Sequence, residues 1–132
     1  MVRDVIVLDT HALVWWTQQP ELLGNDAAEA IVHADRILVP AICFWETALL
    51  VRTGRLALKR GQSVDEWASE VLAIPRVIAV ALTPALAQSA DALQMHPDPA
   101  DRFIAATALE QHASLVTKDE LLRALSWLKT VW

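Results

Sequence analysis

Three features of this chain predict an α/β fold built on a mostly parallel central β-sheet. Short apolar runs alternate with stretches of helical periodicity. The first run, Val5 to Leu8, is β-branched and unbroken by polar residues, as in strands covered on both faces. The chain has 132 residues, 55% of them hydrophobic, which is the length of one ordinary domain (1–132) with ample material for a core.

The elements follow in order. Val5 to Leu8 reads as the opening strand, and His11 to Gln18 as the first helix. A helical pattern over Asp26 to Ala34 leads to a strand at Ile37 to Val39. The next helix, Ala41 to Thr53, is stopped by Gly54. Ser63 and Glu66 in "SVDE" have the spacing of a capping box, which starts a helix over Val64 to Leu72. A strand at Val77 to Leu82 follows. Thr83-Pro84 and Asp98-Pro99 then open helices over Pro84 to Leu93 and Pro99 to His112, with proline at the first helical position of each. Leu115 to Thr117 is a further strand, Leu121 to Leu125 a short helix, and "LKTVW" an edge strand.

Composition narrows the function. The net charge of −5 argues against nonspecific attachment to nucleic acid, but it is compatible with an enzyme whose acids hold metal ions. No apolar run approaches the roughly 20 residues that span a bilayer, and Asp4 interrupts the start where a signal peptide would stay apolar. A cytoplasmic protein without a membrane segment is expected. The single cysteine, Cys43, lies in an apolar segment and reads as buried filler. Six Trp, with Trp15 and Trp16 adjacent on one helix, predict that some aromatic surface serves a partner, since neighbouring helical positions diverge by about 100°.

Four acids stand out by position. Asp9 ends the first strand, at the edge where open α/β sheets bind ligands, and equally suits an N-cap. Glu46 is the one charge in "PAICFWETALLV". On a helix it shares a face with Ile42, Cys43, Leu49 and Leu50, none of which can pair with it. Asp98 is explained by capping. Asp101, at the third helical position, shares its face with Ile104, Ala105 and Ala108. Asp119 follows the strand in "SLVTKDELL" and also suits a cap.

Asp9, Glu46, Asp101 and Asp119 all fall at one predicted sheet edge. Clustered carboxylates repel one another unless a cation neutralises them, and an oxygen-only donor set suits Mg²⁺ or Mn²⁺. Thr10 is placed to orient Asp9 through its hydroxyl or to cap the helix. The histidines show no metal-ligand spacing and read mostly as surface or turn residues. Arg52, Arg55, Lys59 and Arg60 form the one basic cluster, either a complement to the helix dipole or a rail for a phosphate backbone.

On the segments "LDTHALVWW", "FWETALLVRTGRL", "HPDPADRFIAATA" and "LVTKD", in that order, the chain resembles PIN-domain proteins, and most of all VapC-type toxins. The likeness covers nearly the whole chain. Asp9, Glu46, Asp101 and Asp119 match the family's acidic quartet, and Thr10 its hydroxyl residue. Leu50 stands where many relatives have lysine, and Ala100 where many have an aromatic; neither touches the quartet.

The resemblance implies a PIN-like parallel sheet flanked by helices, frequent homodimers, and metal-dependent endoribonuclease activity on RNA restrained by a small cognate antitoxin. In that reading Asp9 and Asp101 are the core metal ligands, and Glu46 and Asp119 complete the site. Alternatives are an aspartate-based phosphatase, a phospho-accepting receiver, and an inactive PIN-like module that only binds RNA or protein. The first expects a second acid where this chain has His11, and the second an acceptor aspartate where Thr83 and Pro84 follow a strand.

Overall fold

The computed structural model describes residues 4–132; the first residues of the start weighed against a signal peptide lie outside that range. The central sheet comprises β1 (Val5–Leu8), β2 (Arg36–Pro40), β3 (Val77–Val80), β4 (Ser114–Val116) and β5 (Thr130–Val131). Its order is β3-β2-β1-β4-β5, and every neighbouring pair is parallel. The expected parallel α/β architecture is therefore present, and "LKTVW" does supply an edge strand.

The helices are α1 (Thr10–Gln18), α2 (Asn25–His33), α3 (Ala41–Arg52), α4 (Val64–Ala73), α5 (Pro84–Asp91), α6 (Pro99–Glu110) and α7 (Glu120–Arg123). Short 3-10 turns at Pro20–Leu22 and Lys59–Gly61 carry no apolar periodicity and were not expected. Capping chemistry sets the starts. Ser63 and Glu66 form the reciprocal box, and Thr83 and Asp98 accept from the third helical N–H of α5 and α6. Gly54 turns the chain out of α3 at φ +75°, a conformation without penalty only for glycine.

The core lies between the central strands and the helices. Val7, Leu8, Ile37, Val39, Leu115 and Val116 are all but sealed from water, and the Trp67 indole is sealed among them. Cys43 is fully buried, as expected. Edge strand β3 is more open, with Ile78 exposed. Strand order reverses between β1, which connects towards β2, and β4, which is reached from the far edge. A crevice at the carboxyl ends of β1 and β4 is the position such a sheet offers a ligand. Among the described residues no helix is long and apolar enough to cross a membrane.

Candidate metal centre

The carboxyl ends of the central strands open into a cleft of about 840 Å³ whose lining includes Asp9, Glu46, Asp101 and Asp119. The acids come from separate segments: the β1–α1 junction, the second turn of α3, the first turn of α6 and the β4–α7 junction. The parallel strands bring the β1–α1 and β4–α7 junctions and the start of α3 to one edge, and α6 begins there too, so residues up to 110 positions apart line one cleft.

Asp9 is the most buried of them, at 5% exposure. Its backbone N–H continues the sheet ladder to the Val116 carbonyl at 3.2 Å. One carboxylate oxygen accepts the Ala12 N–H at 2.8 Å, so it does cap α1, and the other accepts the Thr117 hydroxyl. Asp119 N–H in turn donates to the Thr117 oxygen at 3.0 Å. Thr117 is fully buried and had not stood out in the sequence; the only local signal was a hydroxyl two positions before Asp119, at the end of an apolar strand.

Thr10 takes neither role expected for it: it does not orient Asp9, and the cap of α1 is Asp9 itself. Its hydroxyl donates to Glu46 instead, because as the first residue of α1 it faces α3, against which α1 packs. Glu46 is half-buried, open to the cleft on one side, so its apolar helical neighbours do not entomb it. Asp119 caps α7 through one oxygen, accepting from Leu121 and Leu122 N–H at 2.8 and 3.1 Å. Leu50 lines the cleft, whereas Ala100 is buried and presents nothing to it.

Asp101 has a partner that spacing did not reveal: His96 Nε2 lies 2.8 Å from its Oδ2. His96 therefore departs from the surface role read for the histidines. The loop before α6 is folded back by Arg102, whose guanidinium donates to the carbonyls of Ala90, Asp91, Leu93, Met95 and His96. His11 also reaches the cleft, on the exposed face of α1.

The basic cluster divides. Arg55 lines the acid cleft, but Lys59 and Arg60 line a separate groove with Gln18, Gln62 and Glu66, and Arg52 is in neither. The turn at Gly54 parts Arg52 from Arg55, and further along the Lys59 N–H is tied to the Gln18 side chain at 2.7 Å. A single rail of Arg52, Arg55, Lys59 and Arg60 is thus not what the fold displays. Lys118 joins Arg55 at the cleft instead.

Burial, more than mutual repulsion, governs the electrostatics of Asp9 and Asp101. Burial raises Asp9 to about 6 despite the hydrogen bonds from Thr117 and Ala12 and the nearby His11, and Asp101 adds repulsion. Burial likewise holds Asp101 above the ordinary carboxylate range; His96 pulls it down, and Asp98 and Asp119 push it up. Burial, with the charges of Asp9 and Glu46, also pushes the Cys43 thiol up, which leaves it inert as a nucleophile. Among the described residues the one ion pair is His96–Asp101, so none of the four acids is in direct ion-pair contact with a Lys or Arg.

This all-oxygen donor set fits a hard divalent cation. Among the described residues, however, no three His, Cys, Asp or Glu side chains converge closely enough to grip one ion between them. The arrangement suits Mg²⁺-type binding through one or two carboxylates with retained waters better than a closed cage.

Sheet order and cleft define a parallel α/β domain with an acid-lined pocket at its switch point. The chain belongs to the PIN domain family, whose pattern matches residues 6–128. It is 40% identical over 121 residues to Ribonuclease VapC22 of Mycobacterium tuberculosis, covering 90% of each chain. In fold it is similar to VapBC2 of Rickettsia felis bound to a promoter DNA fragment, at a TM-score of 0.68 and 15% identity over 96% of both chains. It also resembles a toxin-antitoxin complex from Klebsiella pneumoniae, at a TM-score of 0.63 and 16% identity over 92% of both chains.

Proposed function

We propose that this chain is a metal-dependent endoribonuclease, the toxin half of a toxin-antitoxin pair, hydrolysing RNA phosphodiester bonds at the cleft of Asp9, Glu46, Asp101 and Asp119. The observation that carries the reading is the meeting of these four carboxylates on one cleft without a Lys or Arg partner among the described residues. The likeness to a curated ribonuclease over most of both chains supports the reaction class. Likeness in fold to toxins solved with their antitoxins supports the partner.

Asp9 and Asp101 would hold Mg²⁺ or Mn²⁺, with Glu46 and Asp119 completing the site. A bound ion supplies neutralising charge beside the scissile phosphate and acidifies a water there. The protein's own part is to pre-position the ligands. Ala12 N–H and Thr117 fix Asp9, Thr10 fixes Glu46, and His96 fixes Asp101. A nucleophilic aspartate of the phosphatase kind is disfavoured, because His11 stands where that chemistry has its second acid. Arg55 and Lys118 offer positive charge to the RNA backbone at the rim of the cleft.

The cognate antitoxin is expected to place a basic side chain, Arg rather than Lys, among the carboxylates, since a guanidinium matches their paired oxygens. Trp45, 58% exposed on α3, is the aromatic left uncovered for a protein partner or a second copy; Trp15 and Trp16, expected in that role, are partly buried. The deciding experiment sequences the RNA ends produced by purified protein with Mg²⁺ or Mn²⁺. Defined new ends that vanish in Asp9→Asn support the reading, and ends unchanged by Asp9→Asn overturn it. Co-expression with the adjacent small open reading frame should give an inactive complex; free, fully active protein would refute the partner.

A further inference from the structure

His11 and Trp15 stand four residues apart on α1, so both face the acid cleft, and both line it. The imidazole centroid lies 5.6 Å from the Trp15 ring at 57°. Lys118, between Thr117 and Asp119, sets its Nζ over the same ring, 5.5 Å from the centroid. A third aromatic, Trp132, packs on Trp15 at 5.6 Å and 58°. Trp132 is itself pressed against Gly24, where a β-carbon would come within 2.6 Å of the Trp132 carbonyl carbon. Trp67 shows what a purely structural tryptophan looks like in this fold: fully buried, its N–H donating to Thr17 at 2.9 Å. Trp15 differs. It is part-exposed, sits at the edge of the carboxylates, and is screened by His11 and Lys118, two solvent-exposed side chains that can swing away.

We propose that Trp15 is a nucleobase platform, on which a base adjoining the scissile phosphate stacks while Lys118 leaves the ring for a backbone phosphate. The assignment deepens the ribonuclease reading and rests on it for the identity of the polymer. A flat π surface beside a cation is the combination that single-stranded RNA sites use: stacking accepts any base, and the cation takes the backbone. His11 bounds the same surface. Trp132, seated on Gly24, keeps the indole from turning when Lys118 departs.

The test measures binding by fluorescence anisotropy in Ca²⁺, with RNA integrity checked on gels. The probes are a random-sequence RNA octamer and an abasic ribose-phosphate octamer of the same charge. Wild type should prefer the base-bearing octamer by roughly tenfold. Trp15→Leu should lose that preference and Trp15→Phe should keep part of it, which guards against a folding defect in the leucine variant. Lys118→Gln should weaken both probes alike and reduce the salt slope by about one. Equal wild-type affinity for the two probes, including no binding of either, overturns the platform, as does full preference in Trp15→Leu. Cleavage of RNA by wild type in Mg²⁺ is followed in parallel. Cleavage without base preference fells the platform alone, whereas base preference without cleavage fells the ribonuclease reading and leaves the platform standing.

Discussion

The Thr117 hydroxyl donates to the Asp9 carboxylate, joining the ends of β4 and β1 across 108 residues of sequence, and the same oxygen receives the Asp119 N–H. One buried threonine thereby sets the spacing of two acids that line the cleft. Thr117→Val keeps the shape and removes the link. It should lower stability by roughly 1–3 kcal/mol, because a buried carboxylate oxygen loses its donor. It should also weaken metal affinity about 10- to 100-fold, as loss of ligand-orienting partners does. Thr117→Ser should restore most of both. Calorimetric metal titration and denaturant unfolding check this; a valine variant with wild-type affinity would remove Thr117 from the site.

Asp9 gives the metal-free protein a pH dependence of known sign. Its carboxyl is raised from an ordinary 3.8 to about 6 in the folded state, chiefly by burial. Stability is therefore fully present below the lower value and lost as pH rises through the upper one. The loss should amount to at most roughly 3 kcal/mol. Asp9→Asn should flatten this slope and be the more stable protein at neutral pH without metal. Urea midpoints from pH 4 to 7 in EDTA decide it, and a wild type that gains stability across that window relative to the variant would contradict the burial account.

Mg²⁺ or Mn²⁺ should raise the melting temperature, since a ligand held only by the folded state adds to its stability. Asp101→Asn should blunt the response, because it removes one of the two desolvated acids facing the cleft. Identical metal-induced shifts in wild type and variant would exclude Asp101 as a ligand.

Arg102 ties five carbonyls of the segment before α6, and through His96 it sets the partner of Asp101. Arg102→Ala should cost roughly 1–3 kcal/mol, because several part-buried carbonyls lose their charged donor. Lysine should rescue little of it, having no planar fork to serve several acceptors. Hydrogen exchange should quicken over residues 91–98 while β1 and β2 stay protected. Unchanged exchange there would show the segment to be held by other contacts.

The divided basic cluster separates two sets of charges. Arg55→Gln should reduce the salt slope of RNA binding by about one, whereas Lys59→Gln and Arg60→Gln, in the other groove, should leave it alone. Equal effects from all three would reinstate a continuous rail.

The strands and most helices were legible in the sequence because their signals are local. Val5 to Leu8 is apolar because a central parallel strand is covered on both faces, and Asp98-Pro99 starts α6 by capping chemistry that acts within one turn. The acids were legible as a group because Asp9 and Asp119 follow strands, Asp101 lies in the first turn of a helix with a clear start, and Glu46 is the one charge in an apolar helix directly after a strand. What no local pattern carried were the groups that hold them: Thr117 on Asp9, Thr10 on Glu46 rather than Asp9, His96 on Asp101, and the Arg102 anchor.

By itself the sequence determined the α/β class, the edge at which Asp9, Glu46, Asp101 and Asp119 lie, and the oxygen chemistry they share, since periodicity, capping and residue type act over a few neighbours. Only the tertiary structure decided the order β3-β2-β1-β4-β5, the placing of Asp9 beside the end of β4, the separation of Arg55 from Lys59 and Arg60, and the setting of Trp15 between Lys118 and Trp132. Those contacts join segments far apart in the chain. Their geometry follows from which strands pair and how the helices pack on them, a choice made by the whole core at once.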